Sequence, residues 1–165
     1  MYKRLKEYLD QNKIKYQVIM HSIAYTSQEI AALAHVPGSE MAKVVLVKTN
    51  SGMIMTVLPA SHIIDLRRLK EITGSSQVIL AREEEYQSRF DECEAGAEPP
   101  FGEFFGMKVY LSTVLSEQPR LVFNAGNHKE LISMATEDYM ALVKPEISSF
   151  SIKEQPGKKN HNSGI

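Results

Sequence analysis

Two apolar runs joined by a short polar turn constrain the fold of this chain more than any other segment. Residues 43–49 (KVVLVKT) and residues 53–58 (MIMTVL) are rich in residue types that favour strands, and residues 50–52 (NSG) lie between them. This arrangement is typical of a β-hairpin. Because apolar residues are consecutive in both runs, we predict that the hairpin is buried on both faces. Pro59 is expected to end its second strand.

Helices and strands are predicted to alternate irregularly along the rest of the chain. Apolar periodicity and end signals place helices at residues 2–12, 26–34, 65–72, 82–90 and 137–144. Strand-like runs occur at residues 16–20, 77–80, 108–111, 120–123 and 130–134. Thr26 and Glu29 form a capping box, Gly74 is expected to cap a helix C-terminus, and Thr136 is expected to cap the last helix. The pattern predicts an α+β fold, with a mixed, mostly antiparallel sheet and flanking helices.

Length, charge and cysteine content narrow the class of protein. A chain of 165 residues suggests one domain. Its formal net charge of −1 gives no general attraction to nucleic acid, so any RNA contact requires a local patch, and no DNA partner is expected. The single cysteine excludes an intramolecular disulfide and suits a reducing cytoplasm. The sequence contains neither a signal-peptide core nor an apolar run of the roughly 20 residues that a membrane helix needs.

The predicted domain covers residues 1–152 as a single compact unit. The segment from residue 153 to residue 165 (KEQPGKKNHNSGI) is polar, contains glycine and proline, and has no periodicity. Such a composition is typical of a disordered tail. We therefore predict a cytoplasmic, single-domain protein with a polar C-terminal tail and no membrane association.

A stiff loop is predicted at residues 96–102 (GAEPPFG). Its two adjacent prolines fix φ and remove two backbone donors, and the residue before each proline is restricted to extended geometry. Glycine at either end permits a turn or the close approach of a ligand to the backbone. From these residues alone, an ordinary turn between two elements is the more common outcome.

Several widespread catalytic motifs are absent from the sequence. There is no phosphate loop of the G-x-x-x-x-G-K-[ST] type, no G-x-G-x-x-G, no G-x-S-x-G and no C-x-x-C. The five histidines show no H-x-x-x-H spacing. The sequence therefore gives no indication of a cofactor or of a metal site.

Three polar residues leave two interpretations open. Lys43 begins a buried strand, so its ammonium lies either in solvent at the strand end or in a pocket where it holds a phosphate or carbonyl oxygen. His128 follows a glycine-containing turn and is either a surface residue or part of an anion-binding group with the backbone of that turn. His21, ahead of a helix N-terminus, has the same two interpretations.

Cys93 lies next to the proline loop, so a nucleophilic thiol is a further alternative. Asp91, Glu92 and Glu94 surround it in the sequence. Nearby carboxylates raise the pKa of a thiol and disfavour the thiolate. The sequence therefore ranks a hydrolase with a Cys93 nucleophile last among the alternatives.

Three features of the sequence occur together in a distinctive combination. Lys43 stands at the head of the hairpin, G-x-x-x-P is followed by Phe-Gly at residues 96–102, and residues 124–128 read NAGNH. This combination resembles the YbaK / prolyl-tRNA synthetase editing-domain family, and residues 21–26 (HSIAYT) are similar to the N-terminal motif of that family. The resemblance covers about residues 2–152. It implies that the sheet curves into a partial barrel and that the chain is a free-standing family member.

The resemblance implies hydrolysis, in trans, of the ester of a mischarged aminoacyl-tRNA, namely alanyl- or cysteinyl-tRNA of the proline type. Lys43, Gly96 and His128 are the implied catalytic residues: the lysine contacts the substrate, the loop places backbone groups around the ester and water, and the histidine closes the pocket. The implied substrate-binding residues are His21, Tyr25, Thr26, Pro100, Phe101, Gly102, Asn124 and Gly126. The implied partners are the acceptor end of a mischarged aminoacyl-tRNA and prolyl-tRNA synthetase.

Two features depart from the family pattern or weaken the functional expectation. Ala125 precedes Gly126 where the family often has paired glycines, which leaves the arrangement of backbone donors open. The candidates for acceptor-stem binding are Lys43, Lys48, Arg67, Arg68 and Lys70, although residues 67–70 also fit an ordinary solvated helix face. We therefore expect weak, salt-sensitive binding of tRNA. The alternative function is a non-catalytic module of the same fold that binds aminoacyl-tRNA or a nucleotide.

Overall fold

A computed structural model of the chain describes residues 1–155. The α-helices in this part of the chain are α1 (Lys3–Gln11), α2 (Ser27–Leu33), α3 (Leu66–Thr73), α4 (Glu83–Tyr86), α5 (Thr113–Ser116) and α6 (Thr136–Val143). The strands are β1 (Tyr16–Met20), β2 (Ala42–Thr49), β3 (Gly52–Pro59), β4 (His62–Ile64), β5 (Val78–Leu80), β6 (Val109–Ser112), β7 (Arg120–Asn124), β8 (Glu130–Ala135), β9 (Glu146–Ser148) and β10 (Ser151–Lys153). Short 3₁₀ helices occur at Gln87–Phe90 and Gly102–Phe105.

The strands of the described chain form three sheets. The largest has the order β5-β2-β3-β6-β9, the second has the order β1-β8-β7, and β10 pairs with β4. The β3–β6 and β6–β9 pairs are parallel, whereas the other strand pairs are antiparallel. This mixed, mostly antiparallel arrangement with flanking helices confirms the predicted α+β domain, although the sheets do not close into a barrel.

The predicted hairpin lies at the centre of the largest sheet. Strands β2 and β3 pair in register from Ala42 opposite Pro59 to Thr49 opposite Gly52. Side chains alternate between the two faces of a strand. One face packs into a core that includes Ala42, Leu46, Met55 and Val57, and the other face packs into a core that includes Val45, Val47, Ile54 and Leu58. The prediction that both faces are buried is confirmed.

The helix-end predictions hold for two helices and fail for one. The Thr26 hydroxyl accepts a hydrogen bond from the Glu29 backbone N–H at 3.1 Å, which confirms the capping box of α2. Gly74 has φ of 66° at the C-terminus of α3, as predicted. Thr136 is not a cap, because it is the first residue of α6 and its hydroxyl forms no cap hydrogen bond there. Its backbone N–H instead donates to the Pro119 carbonyl, so tertiary pairing sets the start of this helix.

Three short strands were not predicted, and one of them moves the domain boundary. Strands β4, β9 and β10 contain three residues each, which is too few for a recognisable alternation, and each forms only by pairing with a distant strand. Lys153 pairs with His62, and the Glu154 backbone N–H donates to the Ser61 carbonyl at 2.9 Å. Residue 153 therefore belongs to a strand and not to the predicted tail. Residues 156–165 of that tail lie outside the described part. None of the helices in residues 1–155 has the length and apolar character needed to cross a bilayer.

Candidate active site

Strand pairing brings Lys43 and Asn124 to the same face of the domain. Met41 forms a parallel bridge with Val122, and Lys43 and Asn124 each follow two residues later on their strands. Residues two apart on a strand share a face. Both side chains therefore project from the side on which Met41 and Val122 pack against Ile30 of α2. They are 8% and 5% exposed, respectively, so this face presents two buried polar groups side by side.

The ammonium of Lys43 lies in a poorly hydrated environment. Burial lowers the pKa of Lys43, and attraction to the Glu154 carboxylate opposes that shift. Burial and the positive charge of Lys43 together lower the pKa of His62. Glu154 also accepts a hydrogen bond from Gln28 at 3.0 Å. A cation desolvated in this way attracts an oxygen atom that carries negative charge more strongly than an ammonium in water does.

The proline loop and the turn after β7 are joined by backbone hydrogen bonds. The Glu94 N–H donates to the Gly126 carbonyl at 2.9 Å, and the Gly126 N–H donates to the Ala97 carbonyl at 3.1 Å. Gly126 has φ of 95°, and a Cβ atom at this position would lie 2.8 Å from Cβ of Tyr2. A glycine is therefore required here, and the loop and the turn form one unit.

His128 is fixed by this unit and keeps one ring nitrogen free. Its backbone N–H donates to the Glu94 carboxylate at 3.0 Å, and its Nε2 lies 2.8 Å from the Ala95 carbonyl oxygen. Because a carbonyl oxygen only accepts, the hydrogen-bond network assigns the proton to Nε2. The side chain is 7% exposed, and the Tyr25 ring lies 5.0 Å from the imidazole between centroids. In the neutral ring, Nδ1 then carries an accepting lone pair.

Three of the predicted site residues carry a buried polar atom without a hydrogen-bond partner in residues 1–155. They are Nε2 of His21, Oδ1 of Asn124 and Nδ1 of His128. The His21 backbone N–H donates to the Lys129 carbonyl, which places it beside His128. Buried polar atoms are normally hydrogen-bonded. The unpartnered atoms therefore mark positions at which polar groups of a ligand, or water, are accommodated.

The backbone N–H of Gly96 is occupied, which changes its predicted role. It donates to Oε1 of Glu98 at 3.0 Å, and Gly96 has φ of 81°. Burial raises the pKa of the Glu98 carboxyl, whose side chain is 6% exposed. In this conformation the Gly96 N–H is paired within its own loop. Glu98 was not singled out from the sequence, although a lone acid in an otherwise apolar loop is the signal that could have identified it.

The next three predicted binding residues belong to the hydrophobic core. The Pro100 carbonyl accepts a hydrogen bond from the Tyr139 hydroxyl at 2.7 Å. A Cβ atom at Gly102 would lie 2.4 Å from the Met107 carbonyl oxygen. Phe101 is fully buried in an aromatic cluster with Tyr8, Phe104, Phe123 and Tyr139. The structure therefore corrects the substrate contacts expected of Phe101 and Gly102, because both residues anchor the loop by packing.

Of the remaining predicted binding residues, Thr26 has a structural role and Tyr25 lies at the surface. The Thr26 hydroxyl is used as a helix cap, whereas Tyr25 is 62% exposed beside His128 and is accessible to a ligand. Three of the four basic candidates away from Lys43 are paired with acids: Lys48 with Glu85, Arg67 with Glu71, and Arg68 with Asp65. These ion pairs favour the solvated helix face over a tRNA-binding patch at residues 67–70.

A surface recess borders the proline loop. It has a volume of about 400 Å³ and includes apolar residues of β2 and β5 together with polar residues at the start of α4. Val44, Leu46, Tyr86 and Gly96 are among its lining residues. Val44 and Leu46 alternate with Lys43 along β2, so their side chains lie on the opposite face of that strand.

Cys93 is chemically unsuited to act as a nucleophile. Burial, together with the charges of Glu98 and Glu92, raises the pKa of its thiol to about 12. The thiolate is the reactive form of cysteine, so the reactive fraction is very small near neutral pH. The raised pKa agrees with the expectation from the sequence that the thiolate of Cys93 is disfavoured. Burial raises this pKa more than the neighbouring carboxylates do.

We predict that Cys93→Ala retains at least half of any wild-type hydrolytic rate, because the thiol takes no part in the chemistry. Alkylation of native Cys93 by iodoacetamide at pH 8 should be at least tenfold slower than alkylation of the unfolded chain, since the pKa of a free thiol is about 8.5. Mass spectrometry measures the alkylation rate. Rapid alkylation accompanied by loss of activity would contradict the assignment.

Comparison with known proteins identifies the family. The model of the aminoacyl-tRNA editing domain matches residues 21–142. The multifunctional Ser/Thr-tRNA deacylase ProXp-y of Escherichia coli K12 is 24% identical over 154 residues, which cover 90% of this chain and 92% of that protein. A candidate Cys-tRNA(Pro)/Cys-tRNA(Cys) deacylase, EbsC of Enterococcus faecalis, is 22% identical over 156 residues, which cover 88% of this chain and 91% of that protein.

A solved structure shows the same fold. The crystal structure of a candidate trans-editing enzyme for prolyl-tRNA synthetase superposes with a TM-score of 0.78 at 18% sequence identity, covering 93% of this chain and 97% of that one. The family predicted from the residues of the hairpin, the proline loop and the NAGNH turn is therefore confirmed. The chain belongs to the aminoacyl-tRNA editing domain family.

Proposed function

We propose that this protein is a free-standing hydrolase that removes the amino acid from mischarged aminoacyl-tRNA in trans. Alanyl- or cysteinyl-tRNA of the proline type is the proposed substrate class. Family membership supports the reaction, and the two deacylases similar to this chain act, by name, on tRNA esters of small amino acids. Because a hydrophobic pocket discriminates by only about 1–3 kcal/mol per methylene, a separate sieving site is useful after aminoacylation.

The observation that carries the proposal is the combination of a buried cation with unpartnered polar atoms on the predicted site residues. Lys43 presents a desolvated ammonium, and Asn124 and His128 present accepting atoms. An ester is already activated, so its hydrolysis needs a positioned water and stabilisation of a developing oxyanion rather than a protein nucleophile. Lys43 is the group proposed for the oxyanion, and the accepting atoms are the groups proposed for the water.

His128 is the proposed general base. Its Nδ1 takes a proton from the attacking water as the water oxygen forms a bond to the ester carbonyl carbon. The developing oxyanion is stabilised by the ammonium of Lys43. When the bond to the ribose oxygen breaks, the imidazolium returns its proton to that oxygen. General base catalysis of this kind contributes about 10²–10⁴ in rate.

The proline loop positions His128 instead of donating to the ester. The Gly96 N–H donates to Glu98, and the Ala95 carbonyl accepts a hydrogen bond from His128 Nε2. Packing of Phe101 and the hydrogen bond from Tyr139 to Pro100 make the loop rigid. A rigid loop reduces the entropy lost when the catalytic geometry forms.

The proposed macromolecular partners are the acceptor end of the tRNA and prolyl-tRNA synthetase. Exposed Tyr25 beside His128 offers an aromatic surface on which a terminal base can stack. Since Arg67 and Arg68 of α3 are paired with Glu71 and Asp65, fewer cations remain there for phosphate contacts. We therefore expect weak, salt-sensitive binding of tRNA by the isolated protein.

A deacylation panel tests the proposed function directly. The protein is incubated with tRNA(Pro) carrying alanine, cysteine, serine, threonine or proline, and the remaining ester is counted over time. We expect loss of at least one small non-cognate amino acid and retention of proline. Failure to hydrolyse every ester at enzyme excess would contradict the proposal. Binding of an uncleavable aminoacyl-adenosine analogue without any turnover would support the alternative of a binding module.

We predict that Lys43→Met lowers the single-turnover deacylation rate on the order of 100-fold, because one charged donor to the oxyanion is lost. The variant should fold, since methionine matches the length of the lysine stem.

Folding lowers the pKa of Lys43 below 10.5, so the unfolded chain binds more protons and wild-type stability rises with pH between the two pKa values. Lys43→Met should lack this rise.

Lys3→Met is the matched control for the lysine variant. Lys3 lies on α1 with a side chain 84% exposed, so its loss should leave the deacylation rate unchanged. Rates are measured by single-turnover kinetics and stability by urea unfolding at several pH values. A wild-type rate in Lys43→Met would exclude the proposed role of the ammonium.

A further inference from the structure

One peptide unit connects Glu98 to His128. The Ala95 carbonyl accepts a hydrogen bond from Nε2 of His128 at 2.8 Å, and the Gly96 N–H of the same peptide donates to Oε1 of Glu98 at 3.0 Å. The C=O and N–H of a trans peptide point in opposite directions. The imidazole, the peptide and the carboxylate therefore form a continuous chain of hydrogen bonds in which the peptide is polarised from both ends.

The carboxylate end of this chain is held rigidly. Glu98 is 6% exposed, and its Oε1 accepts the hydrogen bond from the Gly96 N–H at 3.0 Å. Pro99 and Pro100 follow it directly and are buried, and the Tyr139 hydroxyl holds the Pro100 carbonyl. Because φ is restricted at both prolines, the carboxylate has little freedom to leave the Gly96 N–H.

We propose that Glu98 is a positioning residue for His128, acting through the Ala95–Gly96 peptide. This inference rests on the proposed function, in which His128 is the base. The chain of hydrogen bonds keeps the proton on Nε2 and the lone pair on Nδ1, which has no hydrogen-bond partner among residues 1–155. The Glu98 carboxylate, at the negative end of these hydrogen bonds, stabilises the imidazolium that forms when Nδ1 takes a proton from water. Its logic matches that of a carboxylate that orients a catalytic histidine directly, with a peptide inserted between them.

Other ionisable groups near this chain of hydrogen bonds have to be separated from Glu98. Glu83 and Tyr86 face Glu98 from α4, and Cys93 faces it from the segment before the loop. Glu94 lies 4.0 Å from Nε2 of His128, but its side chain is 58% exposed. An exposed carboxylate is screened by water, so the buried carboxylate of Glu98 is expected to have the larger effect on the ring.

Glu98→Gln is the informative substitution, because the amide still accepts the Gly96 N–H but carries no charge. Glu92→Gln, at an exposed position in the same segment, is the control that removes a charge of the same sign. Glu94→Gln tests the competing carboxylate. A Glu98→Ala variant risks misfolding by leaving the Gly96 N–H unpaired, so the conservative variant carries the test.

The first measurement uses the free protein without tRNA. Nitrogen-15 NMR of the His128 ring follows the tautomer and the titration midpoint in the wild type and in each variant. We expect the wild-type neutral ring to carry its proton on Nε2. The midpoint should move to lower pH in Glu98→Gln and stay within 0.2 pH units, roughly the precision of such a titration, in Glu92→Gln.

The second measurement is single-turnover deacylation against pH. We expect Glu98→Gln to lower the plateau rate on the order of tenfold, a part of the full effect of a general base, and to shift the acid limb of the profile to lower pH. A residue with only a structural role would lower thermal stability without shifting that limb. Glu92→Gln should reproduce the wild-type profile.

Two results would overturn the inference. One is an unchanged His128 titration and tautomer in Glu98→Gln, and the other is a larger shift of the midpoint in Glu94→Gln than in Glu98→Gln. Because the NMR measurement needs no turnover, it decides the coupling of Glu98 to His128 even if the deacylation panel refutes the proposed function.

Discussion

The hydrogen bonds between the proline loop and the turn after β7 are the interaction on which the site depends. They run in both directions: Glu94 donates to Gly126, Gly126 donates to Ala97, and His128 is held by the Glu94 carboxylate and the Ala95 carbonyl. The loop alone carries no reactive group, and the turn alone offers a single histidine. Joined, they place an imidazole with a free nitrogen against a rigid backbone.

The second constraint is the bridge between the two larger sheets. Met41, just before β2, pairs with Val122, near the middle of β7. Because side chains two residues apart on a strand lie on the same side, Lys43 and Asn124 project from the same face. The hairpin is buried on both sides, so Lys43 is desolvated although it begins a strand. The fold therefore leaves the ammonium of Lys43 poorly hydrated.

Much of this architecture could be predicted from local sequence patterns. The hairpin, the capping box of α2 and the glycine at the end of α3 follow from residues within a few positions of one another. The combination of Lys43, the proline loop and the NAGNH turn also identified the family. Local signals of these kinds do not depend on distant parts of the chain.

Features that depend on tertiary contacts could not be predicted in the same way. Strands β4, β9 and β10 are too short to show a pattern and exist through their pairing partners. Phe101 looked available in a loop but is enclosed by four aromatic rings from other segments. Glu98 acquires its role only because the Gly96 N–H turns toward it and His128 approaches the same peptide from the other side.

The central claim is that Lys43 and His128 act together on one ester. The most direct measurement is a crystal structure with an aminoacyl-adenosine analogue that carries an amide in place of the ester. We expect its carbonyl oxygen within about 3 Å of Lys43 Nζ and its carbonyl carbon beside the unpartnered Nδ1 of His128. An analogue bound instead in the recess lined by Val44 and Tyr86, without contact to Lys43 or His128, would contradict the account.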